Sequence, residues 1–570
     1  MHGIIFLLAA LAAGAAASTP GGPYGLGQTP YMGWRSWNAY HNNVNQTLLE
    51  EVMAAMVQKQ IDGRSLSDLG FTSVGLDDAW QGFDSGKPGI DACQRGYNGT
   101  FHDEHGNPLW AKATFPDPAG MVAKAHSLGL KAGWYMNNCQ CRENHQTNAT
   151  WVAAVYRQSV AMLADQKWDA VKLDGCSQFH NTSLWANLME ESGHPIAIEN
   201  CNNEHPPAAG PNPDWADHDG QCPYNWYRTS TDIQPSWPSI MNNFAATGHY
   251  TQPTQDLTHP RSKPGCWAYA DMLEVGNMAT FEEDRAHFGA WCIVSSPLVL
   301  GYDVLNTSIT ENIWPIISNR KAVQVNQQWA GHPGHLIKAW DVGGSFLVAG
   351  NCSNPTPAVQ GWAYAAGHLM HGGLCVDSSL DQSELEVATC DARSPNQNFT
   401  AGPGGTFAQG PIHGSPGGCI DICAQHPCGP VQLAHCHAGS NQEFTIDDGG
   451  MLMAKSGQCV AVSTADPAAH SGGGGRVSNA ASSDFSLWAK PLPGGVTAVF
   501  LMSNQNATTQ RPSAVTITFS ELGLMSGAPM TVEDIWSGKT HATAAKSEFV
   551  TDTVGGHDSR FYLLKPTAGN

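Results

Sequence analysis

The chain has 570 residues, and its 28 Lys plus Arg against 49 Asp plus Glu give a formal net charge of −21. This acidic excess argues against a nucleic-acid or anionic-membrane partner. At this length we expect two or three domains.

The first 18 residues predict a cleaved secretory signal peptide, because an apolar run over 4–13 is followed by the small residues of 15–18. That run is too short to cross a bilayer, and no later segment offers about 18 uninterrupted apolar residues. Sixteen cysteines and eight Asn-x-Ser/Thr sequons agree with an oxidising secretory route. We therefore expect a protein without a membrane span that is secreted or delivered to a lumen such as a lysosome or vacuole.

Residues 25–330 predict a (β/α)8 TIM barrel, the α/β part of the architecture. Short apolar runs alternate with helix-like segments, such as 48–58 and 148–163, and 311–326 is the expected last helix. Eight runs are the number that closes such a barrel, whose active site lies where the strands end. The expected strand ends are 31–37, 73–80, 131–137, 169–174, 195–201, 226–232, 271–275 and 297–303.

The fourth strand end carries the most informative residue, Asp174, which closes a mainly apolar run. A lone Asp-Gly after a strand can simply cap a turn. The other strand ends also carry polar groups, however, and Trp37 and Trp80 add flat apolar walls, a combination that suits a sugar. The polar groups are Asp77, Asp78, Tyr135, Lys172, Arg228, Asp232 and Asp271.

Asp174 and Asp232 supply the two carboxyl groups that glycoside hydrolysis requires. Lys172 lies two residues before Asp174 on the same face of its strand, where a cation favours an ionised nucleophile. Asp232 has to be protonated to act as an acid. No His-x-His or His-Glu-x-x-His spacing occurs among the barrel strand ends, so we expect neither a metal nor another cofactor.

The sequence after residue 330 predicts β structure, divided into a domain and an insertion within that domain. Segments 331–351 and 484–570 are expected to form an antiparallel β-sandwich domain, and 352–483 to be an insertion in it. The insertion repeats with a period of about 45 residues: 373–400 is echoed by 418–445 and, incompletely, by 457–461.

The order of these repeats resembles the ricin-B-type lectin repeat, a β-trefoil, with Phe399 and Phe444 in place of its usual Trp. The resemblance implies within-repeat disulfides Cys375–Cys390 and Cys419–Cys436 and a local Cys423–Cys428 pair. It makes Asp377 and Asp421 the candidate sugar contacts. A purely structural trefoil is the alternative.

Five motifs occur in the order found in glycoside hydrolase family 27, the α-galactosidase family, over about residues 30–350 and again from about 484. On these motifs, the chain resembles members of that family. The motifs are Met-Gly-Trp-x-Ser-Trp at 32–37, Leu-Asp-Asp-x-Trp at 76–80, Lys-x-Asp-Gly-Cys at 172–176, Arg-Thr-Ser-Thr-Asp-Ile at 228–233 and Asp-Met-Leu-Glu-Val-Gly-Asn at 271–277.

The resemblance implies a retaining double displacement that releases terminal α-D-galactose, with Asp174 as nucleophile and Asp232 as general acid/base. It implies a disulfide between Cys201 and Cys222, and one from Cys176 to either Cys139 or Cys141. The substrate-binding candidates are Trp37, Asp77, Asp78, Tyr135, Lys172, Cys201, Asn202, Arg228 and Asp271.

Departures from the family pattern fall in the recognition loops. Asn-Asn-Glu-His follows Cys201, Ala79 replaces a family cysteine, and Trp-Ala-Tyr-Ala-Asp-Met occupies 267–272. A β-L-arabinopyranosidase of the same family is therefore an alternative, although Asp77 and Asp78 together favour galactose because one carboxylate would face a missing hydroxyl. A non-catalytic lectin-like protein is the alternative from another class. Expected partners are terminal galactosides, with a second carbohydrate site in the insertion; the sequence does not set the oligomeric state.

Overall fold

The protein is described from a computed structural model that covers 23–81, 96–144, 146–201, 222–251, 261–340, 345–350, 352, 359–381, 384–388, 390–392, 394–410, 417–422, 431–437, 439–463, 483–505, 514–524, 530–543 and 547–566. The predicted signal peptide and the expected Cys423–Cys428 pair lie outside these residues. The chain divides into two units, one of residues up to 337 together with those from 487 onward, and one of 338–486.

The first unit contains an eight-stranded parallel sheet in the order β7-β6-β5-β4-β3-β2-β1-β8. Neighbouring strands are consecutive in the chain except β1 and β8, as expected for a (β/α)8 barrel. The strands are β1 (Met32–Arg35), β2 (Ser73–Gly75), β3 (Lys131–Met136), β4 (Ala170–Asp174), β5 (Ala197–Cys201), β6 (Trp226–Arg228), β7 (Trp267–Tyr269) and β8 (Leu298–Leu300).

A single parallel bridge between Leu273 and Leu300 joins the two edges of this sheet. The predicted seventh strand, 271–275, was wrong in position, because regular pairing with β6 ends at Tyr269. Asp271 takes a left-handed backbone conformation with φ 85°, which an extended strand does not accommodate. The correction places Asp271 just beyond the carboxyl end of β7.

The helices alternate with the strands, as the apolar periodicity predicts. The expected last helix at 311–326 is two helices, because Asn319 caps a new start after the first one ends. The helices are α1 (Trp37–Tyr40), α2 (Gln46–Val57), α3 (Pro118–Ser127), α4 (Ala149–Asp165), α5 (Thr182–Ser192), α6 (Trp237–Thr251), α7 (Phe281–Ile293), α8 (Thr307–Ile317) and α9 (Arg320–Gln327). None of the helices in the described ranges is long and apolar enough to cross a membrane.

The same unit continues into antiparallel sheets that pack against α7. Phe500 of the six-stranded sheet lies so close to Gly289 of α7 that a Cβ there would be 2.4 Å from its ring. Lys490, fully buried, donates to the hydroxyl of Ser295 at 2.7 Å. The sheet order is β26-β25-β28-β23-β22-β9, beside a β24-β27 pair. The strands are β9 (His335–Trp340), β22 (Phe485–Leu492), β23 (Val496–Ser503), β24 (Thr516–Thr518), β25 (Met530–Asp534), β26 (Thr540–Thr543), β27 (Glu548–Val550) and β28 (Ser559–Pro566).

The second unit consists of β strands around one apolar core. Phe399 and Phe444, the equivalent residues of two repeats, are both buried in that core. The strands are β10 (Ser345–Gly350), β11 (Trp362–Ala365), β12 (His368–His371), β13 (Leu374–Asp381), β14 (Glu384–Ala388), β15 (Thr400–Ala401), β16 (Phe407–Gln409), β17 (Gly418–Asp421), β18 (Gln432–Ala434), β19 (Phe444–Ile446), β20 (Leu452–Ala454) and β21 (Cys459–Ser463).

One strand expected in the sandwich belongs to this second unit. β10 pairs with β14 on one side and with β21 on the other. Cys352, which follows it, forms a disulfide with Cys459. The predicted pairs Cys375–Cys390 and Cys419–Cys436 are present. The β-trefoil assignment of 352–483 stays a prediction.

Candidate active site

Four residues from consecutive strand ends, Asp77, Tyr135, Lys172 and Asp174, form a group that we call the Asp174 cluster. The carboxylate of Asp174 is fixed by two donors. The Tyr135 hydroxyl donates to Oδ2 at 2.6 Å, and the backbone N–H of Gly175 donates to Oδ1 at 2.7 Å. Because 18% of the Asp174 side chain is exposed, the carboxylate is both held and accessible.

Lys172 lies between two carboxylates of this cluster. Its Nζ donates to Asp77 Oδ2 at 2.8 Å and lies 3.9 Å from Asp174 Oδ2. It also lies 5.3 Å from the centre of the Tyr135 ring, a cation–π contact. Burial lowers the pKa of Lys172, but the charges of Asp77, Cys201 and Asp174 together outweigh burial, and the net direction is upward. Lys172 is therefore a permanent cation beside Asp174.

Arg35, at the end of β1, adds a second buried cation that the sequence reasoning missed. Its guanidinium bonds to Glu199 of β5, and Nη1 lies 3.7 Å from Asp77 Oδ2. Burial raises the pKa of Asp77, yet Lys172 and Arg35 outweigh it, and the net direction is downward. Arg35 lies inside the Met-Gly-Trp-x-Ser-Trp motif at 32–37. A charged residue within a buried strand is the signal that could have identified it as part of the site.

Asp78 differs from Asp77 because protein donors occupy both of its oxygens. Oδ1 accepts from Ala79 N at 2.8 Å and Gln81 Nε2 at 2.7 Å, and Oδ2 accepts from the backbone N–H groups of Cys139 and Gln140 at 2.9 and 2.7 Å. Burial raises its pKa. These bonds tie the end of β2 to the loop after β3.

The two tryptophans expected as pocket walls differ in exposure. Trp80 is fully buried, and its indole N–H donates to the Tyr135 carbonyl at 2.8 Å. It packs on Trp134 with ring centres 5.0 Å apart, so it is a core residue. Trp37 begins α1, is only partly buried and meets His41 edge to face.

A second group, Cys201, Arg228, Asp232 and Asp271, forms what we call the Arg228 cluster at the ends of β5, β6 and β7. Arg228 Nη2 lies 3.0 Å from Asp232 Oδ1 and 2.9 Å from Asp271 Oδ2. Asp271 also accepts the backbone N–H of Ile233 at 2.9 Å. This bond fixes the segment that carries Asp232.

The carboxylate of Asp232 is open to solvent, since 83% of its side chain is exposed. It pairs with the buried Arg228, whose side chain is 4% exposed. The Asp232 carboxyl group is therefore accessible to solvent and lies against a buried cation.

Cys201 joins the two clusters. It pairs with Asp174 in the register of β4 and β5, and Arg228 Nη1 donates to its sulfur at 3.4 Å. Burial raises the pKa of the Cys201 thiol. The barrel therefore brings the sequence-predicted residues of β4, β5, β6 and β7 to one mouth. Asn202 lies outside the described residues.

The predicted Cys201–Cys222 disulfide is wrong in this structure. Cys222 is bonded to Cys266, and Cys201 is free. Cys266 lies directly before β7 and Cys222 shortly before β6, and these neighbouring strands bring the two sulfurs together. The expected bridge from Cys176 goes to Cys139, and Cys141 is in a disulfide of its own.

Left-handed backbone conformations follow three of the strand ends. Ala79, Asn137 and Asp271 have φ of 85°, 61° and 85°. Such conformations are costly for residues with a Cβ and gather at functional sites. At Asn137 the turn lets the side-chain amide donate to the carbonyl of Asp174. Sequence reasoning missed this role, since Asn137 lies outside the five motifs.

Among the described residues, the one group with metal-ligand spacing is Cys139, Asp174 and Cys176. Its two sulfurs are bonded to each other, so they are not available as thiolate ligands.

In the second unit, the lectin candidates Asp377 and Asp421 occupy equivalent positions. Gln397 Nε2 donates to Asp377 at 2.7 Å, and Gln442 Nε2 donates to Asp421 at 2.7 Å. Asn441 Nδ2 also donates to Asp421, at 2.9 Å. Both aspartates are buried, with 6% of Asp377 and 5% of Asp421 exposed. Their roles in sugar binding stay predictions.

Similarity to known proteins was found in sequence and in fold. An alpha-galactosidase of Oryza sativa is 29% identical over 347 residues, which cover 59% of this chain and 72% of the relative. The human alpha-N-acetylgalactosaminidase is also 29% identical, over 339 residues, 55% of this chain and 72% of that one.

Two solved structures at low sequence identity show a similarity in fold. An alpha-galactosidase from Saccharomyces cerevisiae aligns with a TM-score of 0.57 at 16% identity, over 96% of this chain and all (100%) of that one. A β-L-arabinopyranosidase from Geobacillus stearothermophilus aligns with a TM-score of 0.55 at 16% identity, over 95% of this chain and 98% of that one.

The sequence profile described as alpha galactosidase A matches residues 29–328, more than half of the chain, and that of the alpha galactosidase C-terminal beta sandwich domain matches 482–564. The chain therefore belongs to the alpha-galactosidase family, glycoside hydrolase family 27.

Proposed function

We propose that this protein is a retaining glycoside hydrolase that releases terminal α-D-galactose through a covalent glycosyl-enzyme. The observation that carries the proposal is the pair of carboxylates at the ends of β4 and β6. Asp174 is held by Tyr135 beside the cation of Lys172, and Asp232 is open to solvent on Arg228. One group suits a nucleophile and the other a proton carrier.

In the first step, an oxygen of Asp174 attacks the anomeric carbon while Asp232 gives its proton to the glycosidic oxygen. The bond from the anomeric carbon to that oxygen breaks, and the alcohol leaves. In the second step, Asp232 takes a proton from water, the water oxygen attacks the anomeric carbon, and the bond to Asp174 breaks. Two inversions give net retention.

The remaining residues of the mouth have roles in binding and charge. The Lys172 cation, 3.9 Å from Asp174, stabilises the negative charge that returns to Asp174 when it leaves as a carboxylate. Asp77, with its lowered pKa, offers a carboxylate to sugar hydroxyls of the galactose. Trp37, partly exposed, offers a ring face to the C–H side of the sugar.

β-L-Arabinopyranosidase activity is the competing proposal, since the two glycones differ by one exocyclic CH2OH. Burial of Asp77 favours galactose, because a buried carboxylate facing a missing hydroxyl is penalised. Asp78 does not add to this preference, since protein donors already occupy both of its oxygens. We expect a higher kcat/KM for an aryl α-D-galactoside than for the corresponding β-L-arabinopyranoside and α-N-acetylgalactosaminide. The reverse order would overturn the galactose assignment.

The nucleophile is tested by trapping. A 5-fluoro-galactosyl fluoride should add one fluorogalactosyl group to the protein, and peptide mapping should place it on Asp174. Asp174→Asn should abolish labelling. Asp169→Asn is the matched control, because Asp169 precedes β4 at the opposite end of the same strand and bonds there to the Ala132 N–H at 2.8 Å. Labelling of another residue contradicts the assignment.

A second carbohydrate site in the insertion is proposed on the paired Asp–Gln contacts of Asp377 and Asp421. Its test is galactoside binding by full-length Asp174→Asn, with and without Asp377→Ala and Asp421→Ala. Binding that is the same in all three proteins leaves the insertion a structural module.

A further inference from the structure

Four of the eight Asn-x-Ser/Thr sequons coincide with helix N-caps of the barrel. In each, the asparagine Oδ1 accepts the backbone N–H three residues later, which satisfies one of the unpaired donors at the helix start. The four are Asn45 before α2 at 2.9 Å, Asn148 before α4 at 3.2 Å, Asn181 before α5 at 2.8 Å and Asn306 before α8 at 3.4 Å.

The amide nitrogen of each of these side chains is left for another use. All four side chains are exposed, and within the described residues their Nδ2 atoms make no hydrogen bond. An N-linked glycan attaches to Nδ2 and projects from the surface. The cap uses only Oδ1, so the cap and a glycan are compatible on the same residue.

Another asparagine of the barrel provides an internal contrast. Asn319 caps α9 in the same way, but Arg320 and Lys321 follow it, so it is not a sequon. Its Nδ2 donates to the carbonyl of Ile535 at 2.8 Å. Where the sequon is missing, the amide nitrogen has a structural partner.

Capping alone does not require asparagine at the four positions. Asp117 caps α3 and Thr280 caps α7 in this chain. Aspartate caps as well as asparagine and gains from the positive end of the helix dipole. Capping therefore does not explain why these four positions have a side-chain amide nitrogen, nor why Ser or Thr follows two residues later.

The topology places the four asparagines on one side of the barrel. The helices that follow the strands run antiparallel to them, so helix N-termini lie where the strands end. That is the side on which Asp174 and Arg228 lie at the ends of β4 and β6.

We propose that Asn45, Asn148, Asn181 and Asn306 carry N-linked oligosaccharides, and that these glycans stand around the catalytic mouth and hinder large, galactosylated polymers more than small galactosides. The second clause rests on the proposed function; the first does not.

Glycan occupancy is tested on the full chain secreted from a eukaryotic host. Enzymatic deglycosylation in ¹⁸O-labelled water should convert the four asparagines to labelled aspartates, which peptide mass spectrometry detects. Asn319 should remain unlabelled and serves as the internal negative control. Unmodified Asn at the four positions overturns the proposal.

The effect on access is tested with Asn→Asp at all four positions, because aspartate keeps each cap and cannot carry the glycan. Thr47→Ala and Thr150→Ala remove the Asn45 and Asn148 sequons independently while keeping each asparagine cap, and both threonines are exposed. The kcat/KM ratio of a galactomannan to an aryl α-galactoside should rise by about two- to tenfold, because encounter rather than chemistry is obstructed.

If the kcat/KM ratio of the two substrates is unchanged in the protein with all four Asn→Asp substitutions, the proposed role in access is overturned, while glycan occupancy still stands. Absence of turnover on both substrates, in wild type as well, contradicts the proposed function instead. The Asn→Asp protein should keep the thermal midpoint of enzymatically deglycosylated wild type; a marked loss would mean that more than the cap had been altered at these sites.

Discussion

The Asp174 and Arg228 clusters hold their carboxylates in different ways. Asp174 is 18% exposed and receives the Tyr135 hydroxyl and a backbone N–H, with Lys172 at 3.9 Å. Asp232 is 83% exposed and pairs with Arg228. A nucleophile has to stay ionised and fixed, whereas an acid/base has to gain and lose a proton in each cycle. The difference in setting matches the difference between the roles proposed for Asp174 and Asp232.

The strongest way to break this comparison is Asp174→Asn. We expect a loss of kcat/KM of about 10⁴-fold or more, the scale on which removing a nucleophile costs other covalent enzymes. The amide oxygen still accepts from Tyr135, so the circular dichroism spectrum and thermal midpoint should stay near those of wild type. Steady-state kinetics measure the loss, and wild-type activity in the variant would exclude Asp174 as nucleophile.

Asp232→Ala should cost less and depend on the leaving group. We expect about 10²- to 10⁴-fold on a poor leaving group such as an alkyl galactoside, because proton donation is lost. A dinitrophenyl galactoside needs little protonation, so its first step should be nearly unchanged. Azide should restore turnover of the dinitrophenyl substrate. Equal losses on both substrates without azide rescue would contradict an acid/base role.

Lys172→Met sharpens the electrostatic side of the comparison. We expect a loss of about 10²- to 10³-fold in kcat, because a preorganised charge is removed beside the reacting carboxylate. Asp232 lies outside the Asp174 cluster, so the leaving-group dependence should stay that of wild type. A leaving-group dependence like that of Asp232→Ala would show that the two clusters are not separable.

The same variant carries a pH prediction through Asp77. In wild type the pKa of Asp77 is lowered, with Lys172 and Arg35 outweighing burial. A lowered folded-state pKa gives stability that is present above the unfolded pKa and is lost as pH falls through the folded one. Without Lys172 the pKa of Asp77 rises, so the loss should begin at higher pH. Urea unfolding and kcat/KM measured against pH should both shift their acid limbs upward; unshifted limbs would contradict the charge assignment.

The smallest effect on catalysis is expected from Cys139→Ser with Cys176→Ser. This disulfide joins the loops after β3 and β4, which bear the Asp174 cluster. We expect about 2–4 kcal/mol lower free energy of unfolding, with kcat reduced only severalfold because Tyr135 and Lys172 are held by their own strands. Urea midpoints and kcat measure the two effects. A loss of kcat as large as that of Asp174→Asn would mean that the cross-link, rather than the strands, positions the carboxylate.

Much of the barrel could be predicted because its strands are short apolar runs that end in polar residues. Asp77, Tyr135, Asp174 and Arg228 were found by that rule. The rule misplaced the seventh strand, since the left-handed turn at Asp271 is a property of the backbone that no residue pattern announced. It also missed Arg35, because its partners Glu199 and Asp77 are far away in sequence.

The disulfides divide in the same way. Pairs within one repeat, such as Cys375–Cys390, were implied by the resemblance to the ricin-B-type lectin repeat and are present. The Cys222–Cys266 disulfide joins residues 44 positions apart. Cys222 was predicted to pair with Cys201 instead, because sequence alone does not fix connectivity between distant cysteines.

The sequence by itself determined the family and the order of the strands, and it proposed the two carboxyl groups, because these depend on motifs read along one strand end at a time. Only the tertiary structure decided how those groups differ. Burial, register and hydrogen bonding come from neighbouring strands, so the enclosed setting of Asp174 and the open one of Asp232 arise when the barrel closes.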